Sequence, residues 1–109
     1  MRITEQVAAL RHDLADKWAW PTSRDSFLFL VTEVGELGDA IIRHPDPDGI
    51  APYARYNPRV TTVGDIADEM ADILIMLATL AIAYDIDLEA ALAFKMAKLR
   101  KKFGEGGTL

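Results

Sequence analysis

The chain has 109 residues, half of them hydrophobic and 27% charged, with a formal net charge of −5. That length suits a single domain, 1–109, and the acidic balance argues against a surface that gathers nucleic acid. Cysteine is absent, so disulfides are excluded and a reducing cytoplasm is the expected setting. Residues 1–13 are charged and periodic rather than signal-like. The longest strongly apolar run, residues 73–84, falls short of the roughly 20 residues that a membrane span needs. A domain of this size buries only about 60–65% of its unfolded surface, so the apolar content is generous for a monomer and points to self-assembly.

Periodicity predicts an all-α fold of four helices. The first runs from about Thr4 to Ala19, with Ile3, Val7, Leu10, Leu14 and Trp18 in one stripe and Pro21 closing it. The second follows Thr22 and Ser23, both good N-caps, and continues to about Arg43, with Phe27, Leu30, Val31, Val34, Leu37, Ile41 and Ile42 as its apolar side. Residues 44–63 contain four of the five prolines (Pro45, Pro47, Pro52 and Pro58) and read as a loop, with Tyr53, Arg55, Tyr56 and Arg59 as aromatic and basic groups able to cover a nucleotide. The third helix follows Thr61 and Thr62, with Asp65 in a capping-box position, and runs to about Tyr84. Its broad apolar face is Ile66, Met70, Ile73, Leu74, Leu77, Leu80, Ala81 and Tyr84, while Glu69, Asp72, Met76 and Thr79 follow a second line. Asp87 caps the fourth helix, which carries Leu88, Leu92, Met96, Leu99 and Phe103 and stops at Gly104, leaving a frayed tail over 105–109.

Two acidic motifs stand out. Glu33-Val-Gly-Glu36 and Glu69-Met-Ala-Asp72 each place two carboxylates three residues apart, on one face of a predicted helix. Like charges at that spacing repel, and acids that enter an apolar core are driven to protonate unless a cation compensates them. Four convergent carboxylates make a hard-oxygen site suited to Mg2+ or Mn2+. Gly35 and Gly38 lower helix propensity by roughly 1 kcal/mol each, which suggests a close helix approach or room for a ligand. Lys95, Lys98, Arg100, Lys101 and Lys102 crowd the end of the fourth helix, either complementing its dipole or forming a phosphate-binding patch. His12 and His44 do not have the spacing of a ligand pair.

The ordered set Glu33-Val-Gly-Glu36-Leu37, Asp68-Glu69-Met-Ala-Asp72-Ile-Leu, Ile86-Asp87-Leu88-Glu89-Ala90-Ala91-Leu92 and Lys95-Met96-Ala97-Lys98, with Trp18 upstream, resembles the MazG-like all-α nucleoside triphosphate pyrophosphohydrolases over roughly residues 10–103. The resemblance implies a four-to-five-helix bundle completed by homo-oligomerisation as a dimer or tetramer. It also implies Mg2+-dependent hydrolysis of a nucleoside triphosphate between its α and β phosphates, a house-cleaning activity against non-standard or surplus nucleotides. Glu33, Glu36, Glu69 and Asp72 would hold the metal, and Glu33 or Glu36 would position the attacking water. Lys95, Lys98 and Lys102 would meet the phosphates, and Trp18 or Trp20 would stack on the base.

Three positions depart from the family pattern: Leu99 where many members carry Asn, Lys102 where Arg is common, and Thr32 where many carry an acid before the first glutamate. Phosphoribosyl-ATP pyrophosphohydrolysis is an alternative within the superfamily. A non-catalytic helical oligomerisation or metal-binding module is an alternative of a different class.

Overall fold

A computed structural model describes residues 2–17, 23–45 and 60–104. Among them there are four helices and no strand: α1 (Ile3–Asp13), α2 (Ser23–Ile42), α3 (Val63–Ala83) and α4 (Leu88–Phe103). No described helix is long and apolar enough to cross a membrane. The chain divides into two compact units, Pro21–Leu77 and Met1–Trp20 with Ala78–Leu109. The proline-rich loop lies largely outside the described residues, as do Trp18, Trp20 and the tail.

Helix α1 ends earlier than its apolar stripe suggests. After Asp13 the hydrogen bonds tighten to Ala15 N–H with His12 C=O (3.3 Å) and Lys17 N–H with Leu14 C=O (2.9 Å). Asp13 and Asp16 would put negative charge at the negative end of the helix dipole, and aspartate is a poor helix former, so the last turn unwinds. The N-terminus of α1 is tied to α4 within the same unit. Glu89 accepts from the Ile3 N–H at 2.7 Å and the Thr4 N–H at 3.4 Å, and Arg2 pairs with both Asp87 and Glu89. Asp87 caps α4 by accepting from the Ala90 N–H at 3.0 Å.

In the Pro21–Leu77 unit, α3 opens on a reciprocal capping box. The Asp65 N–H donates to Thr62 Oγ1 at 3.1 Å, and the Thr62 N–H donates to Asp65 Oδ2 at 2.8 Å. One residue earlier, Thr61 fastens the end of α2. Its hydroxyl donates to Ala40 C=O at 2.6 Å, its N–H donates to Arg43 C=O at 3.2 Å, and its own carbonyl accepts from His44 Nδ1 at 2.7 Å. These bonds satisfy carbonyls that a helix C-terminus leaves without intrahelical partners. They also bring the end of α2 to the start of α3, so the two helices run antiparallel.

The burial of α3 divides the expected apolar face and adds the second line to the buried side. Of the broad apolar face, Met70 (54%), Leu74 (40%), Leu77 (38%) and Tyr84 (65%) are exposed, Ile66, Ile73 and Leu80 are half-buried and Ala81 is buried, while Met76 and Thr79, on the line of the acids, are 8% and 2% exposed. On α2 the buried residues are Ser26 and Ala40, and Glu33 stands midway between them at seven-residue spacing. Glu33 on α2 and Glu69 and Asp72 on α3 therefore lie toward the inward lines, with Glu36 exposed beside them. No residue of α4 is buried.

Helix α3 ends in a Schellman motif without glycine. Ile86 N–H bonds to Ala81 C=O at 2.8 Å and Asp85 N–H to Ile82 C=O at 3.2 Å, with Asp85 at φ 54°. The left-handed region costs a side chain about 1–2 kcal/mol, partly offset by the roughly 0.5–1 kcal/mol of extra chain entropy that glycine loses on folding. Asp85→Gly should therefore raise stability by about 0.5–1 kcal/mol. Urea unfolding at fixed protein concentration measures this, and a destabilised variant would contradict the strain at Asp85.

Candidate metal centre

The antiparallel pairing of α2 and α3 brings the two acidic motifs together within one unit. Ligand oxygens of Glu33, Glu36 and Glu69 lie within 4.8 Å of one another, and so do those of Asp68, Glu69 and Asp72. Glu69 belongs to both groups, so the four acids read from the sequence are linked, with Asp68 added at the edge. Glu33, Glu69 and Asp72 are half-buried, and Glu36 and Asp68 are exposed.

Surface carboxylates often cluster without holding an ion, so their burial and partners decide what this cluster can do. Glu33 Oε2 and Glu69 Oε2 are shielded from solvent and, with the carboxyls ionised, have no hydrogen-bond partner among the described residues. A buried acceptor without a donor costs on the order of 1–3 kcal/mol, more when charged. Burial pushes the Glu33 carboxyl from its ordinary 4.5 up to about 7, with the charges of Glu36 and Asp72 adding to the shift. Burial also raises Glu69, helped by the charge of Glu36, and raises Asp72, helped by Asp68 and Glu36. All three shifts share their causes: lost hydration and neighbouring negative charge. A divalent cation reverses both, and oxygen-only donors suit Mg2+ or Mn2+.

Beside the cluster lies a polar cavity of about 220 Å³, lined by Glu36, Asp39, Ala40, Arg43, Thr61, Asp65 and Glu69. Sequence reasoning passed over Asp39 and Arg43, although they extend the face of Glu36 by one and two further helical turns. A second cavity, about 260 Å³, is lined by Asp25, Leu28, Phe29 and Thr32 on the N-terminal half of α2. The Thr32 hydroxyl donates to Leu28 C=O at 3.1 Å, a bond within its own helix. Lys95, Lys98 and Lys102 lie on α4, in the unit that does not contain the acids, with Lys98 Nζ 5.7 Å from the Phe94 ring centre and Lys102 Nζ 5.0 Å from that of Phe103. A Cβ added at Gly35 or Gly38 would meet nothing within 4 Å. Among the described residues these glycines therefore mark no close approach within the chain.

The raised carboxyls fix a sign for pH dependence. Between pH 4.5 and about 7 the folded chain keeps a proton on Glu33 that the unfolded chain has released. The corresponding stability is present below pH 4.5 and lost as pH rises through about 7. In chelator-treated protein, Glu33→Gln should therefore gain thermal stability relative to the parent as pH increases across that window. A stability difference independent of pH would show that Glu33 is not strained in the metal-free cluster.

No curated protein matches the chain. The family model of the MazG nucleotide pyrophosphohydrolase domain matches residues 22–103. That span covers three-quarters of the chain, runs from the start of α2 to the end of α4, and contains both acidic motifs. The chain belongs to the MazG nucleotide pyrophosphohydrolase family.

Proposed function

We propose that this protein hydrolyses nucleoside triphosphates between the α and β phosphates, giving a monophosphate and pyrophosphate. Non-standard or surplus nucleotides are the proposed substrates. The observation that carries the reading is the convergence of Glu33, Glu36 and Glu69 oxygens, two of them buried and unpartnered. Glu33, Glu36, Glu69 and Asp72 would hold Mg2+, with Mn2+ as a substitute. When bound, the ion neutralises phosphate charge and makes water a better nucleophile. Glu33 and Glu36 then orient the attacking water, and the half-buried position of Glu33 limits competing solvent. Lys95, Lys98 and Lys102 are proposed phosphate contacts, and Trp18 is a proposed base contact.

Self-association completes the proposal. Among the described residues the buried apolar set is Val7, Ala40, Met76, Ala78 and Ala81, while Phe27, Val31, Val34 and Ile41 form a stripe 50–55% exposed along α2. Gly38 lies in that stripe with open space above it, which would let a second helix approach closely. Paired Val31→Lys and Val34→Lys substitutions should shift the protein to a smaller species in sedimentation velocity. A parent protein that sediments as a monomer at every concentration would remove this part of the proposal.

Thr32 favours one competing reading, a metal-binding module without turnover, because its hydroxyl is bonded within its own helix and supplies no carboxylate. Pyrophosphate release from a panel of triphosphates with Mg2+ separates the two. The enzyme reading expects pyrophosphate, with Glu36→Gln and Asp72→Asn each lowering turnover by more than the roughly 10–100-fold typical of losing an outer-shell partner of a metal. Orthophosphate alone, or no turnover with any nucleotide, sinks it. A Mg2+ thermal shift in the parent that persists without turnover supports the module.

A further inference from the structure

The polar cavity at the end of α2 holds a group that the acid cluster does not explain. Among the described residues lining it, Glu36, Asp39, Asp65 and Glu69 are acidic and Arg43 is the cation. The Arg43 side chain is only 13% exposed. Its Nη2 and Nε both donate to Asp39 Oδ2, at 2.7 and 3.0 Å, so the guanidinium is held in one orientation one helical turn beyond Asp39. The Thr61 clasp supports it from behind by fixing the Ala40 and Arg43 carbonyls.

The contents of the cavity select its ligand. With four acids it repels a bare anion, but Glu36 and Glu69 belong to both the cavity and the metal cluster. A metal-chelated polyphosphate that engages those two acids meets Arg43 as the next cation along the wall. Guanidinium binds phosphate oxygens through a planar fork. At about 220 Å³ the space is smaller than the roughly 300–1,000 Å³ of clefts that enclose whole drug-sized ligands. Its lining is polar, which suits phosphate rather than a base.

We propose that Arg43, oriented by Asp39, binds the β and γ phosphates of the substrate and hence the pyrophosphate product. This rests on the pyrophosphohydrolase reading above and assigns the phosphate end of that same site. Arg43 is then a binding residue and Asp39 a positioning residue. At the neighbouring acids the reacting α phosphate would sit between this end and the nucleoside.

Calorimetric binding of inorganic pyrophosphate in excess Mg2+ tests the assignment without needing turnover. Arg43→Met should weaken pyrophosphate binding roughly 10–100-fold, the usual worth of a charge-assisted contact. Arg43→Lys should recover part of the loss, and Asp39→Asn should weaken binding less. A nucleoside monophosphate should bind Arg43→Met as it binds the parent, and the thermal shift with Mg2+ alone should be unchanged, which a merely structural role would not give. Unaltered pyrophosphate affinity in Arg43→Met overturns the proposal, as does a loss that falls on the monophosphate instead. If Arg43→Met does not fold, Arg43→Lys and Asp39→Asn carry the same comparison, and parental affinity in both overturns it. Failure of the parent to release pyrophosphate from any triphosphate removes the enzyme reading separately, and absence of pyrophosphate binding by the parent removes the Arg43 assignment.

Discussion

Mutual repulsion of carboxylates across two antiparallel helices is the constraint around which this structure is arranged. Glu33 stands on the inward line of α2, between Ser26 at 0% and Ala40 at 4% exposure, and Glu69 stands on the inward line of α3, which continues to Met76 and Thr79. Ordinary packing would give those places to leucine or valine. With acids there, the pair loses hydration and gains like-charge neighbours, which is why Glu33 is raised to about 7. The fold must therefore hold α2 and α3 together by other means near the acids. The Thr61 clasp does so, at the end of the pair where the chain enters α3.

That arrangement connects local chemistry to function in both directions. The acids destabilise a metal-free chain and favour a cation, so ligand binding and folding are linked through the same side chains. The clasp also decides where Arg43 lies, because the Arg43 and Ala40 carbonyls are its acceptors. A backbone device for finishing a helix thus sets the position of the cation that faces the polar cavity.

Much of this was legible in the sequence, and the exceptions have physical causes. Caps and acid pairs depend on residues three or four apart, so Thr62 with Asp65, Asp87, and both acidic motifs could be placed by spacing alone. The contact between Thr61 and Ala40 spans 21 residues and involves a residue type that serves equally well as an N-cap. Spacing offers no signal for it. The Schellman ending of α3 escaped because its left-handed residue is Asp85 rather than glycine. Arg43 was visible but read as the end of a helix, and only its 13% exposure beside a cavity separates it from an ordinary terminal cation. The faces of α3 were assigned by hydrophobicity, which does not separate the buried Ala81 from the exposed Met70, Leu74, Leu77 and Tyr84 on one line, nor place Met76 and Thr79 inside.

The exposed apolar residues and the acids lie on different sides of their helices. On α2 the exposed apolar residues Phe27, Val31, Val34 and Ile41 recur at three-, four- and seven-residue steps, as do Phe29, Thr32, Glu36 and Arg43 on a different stripe. A helix with 3.6 residues per turn presents these two stripes to different sides. On α3, Met70, Leu74 and Leu77 are likewise offset from Glu69, Asp72 and Met76. In the homo-oligomer proposed above, a second copy would cover the apolar stripes without displacing the acids.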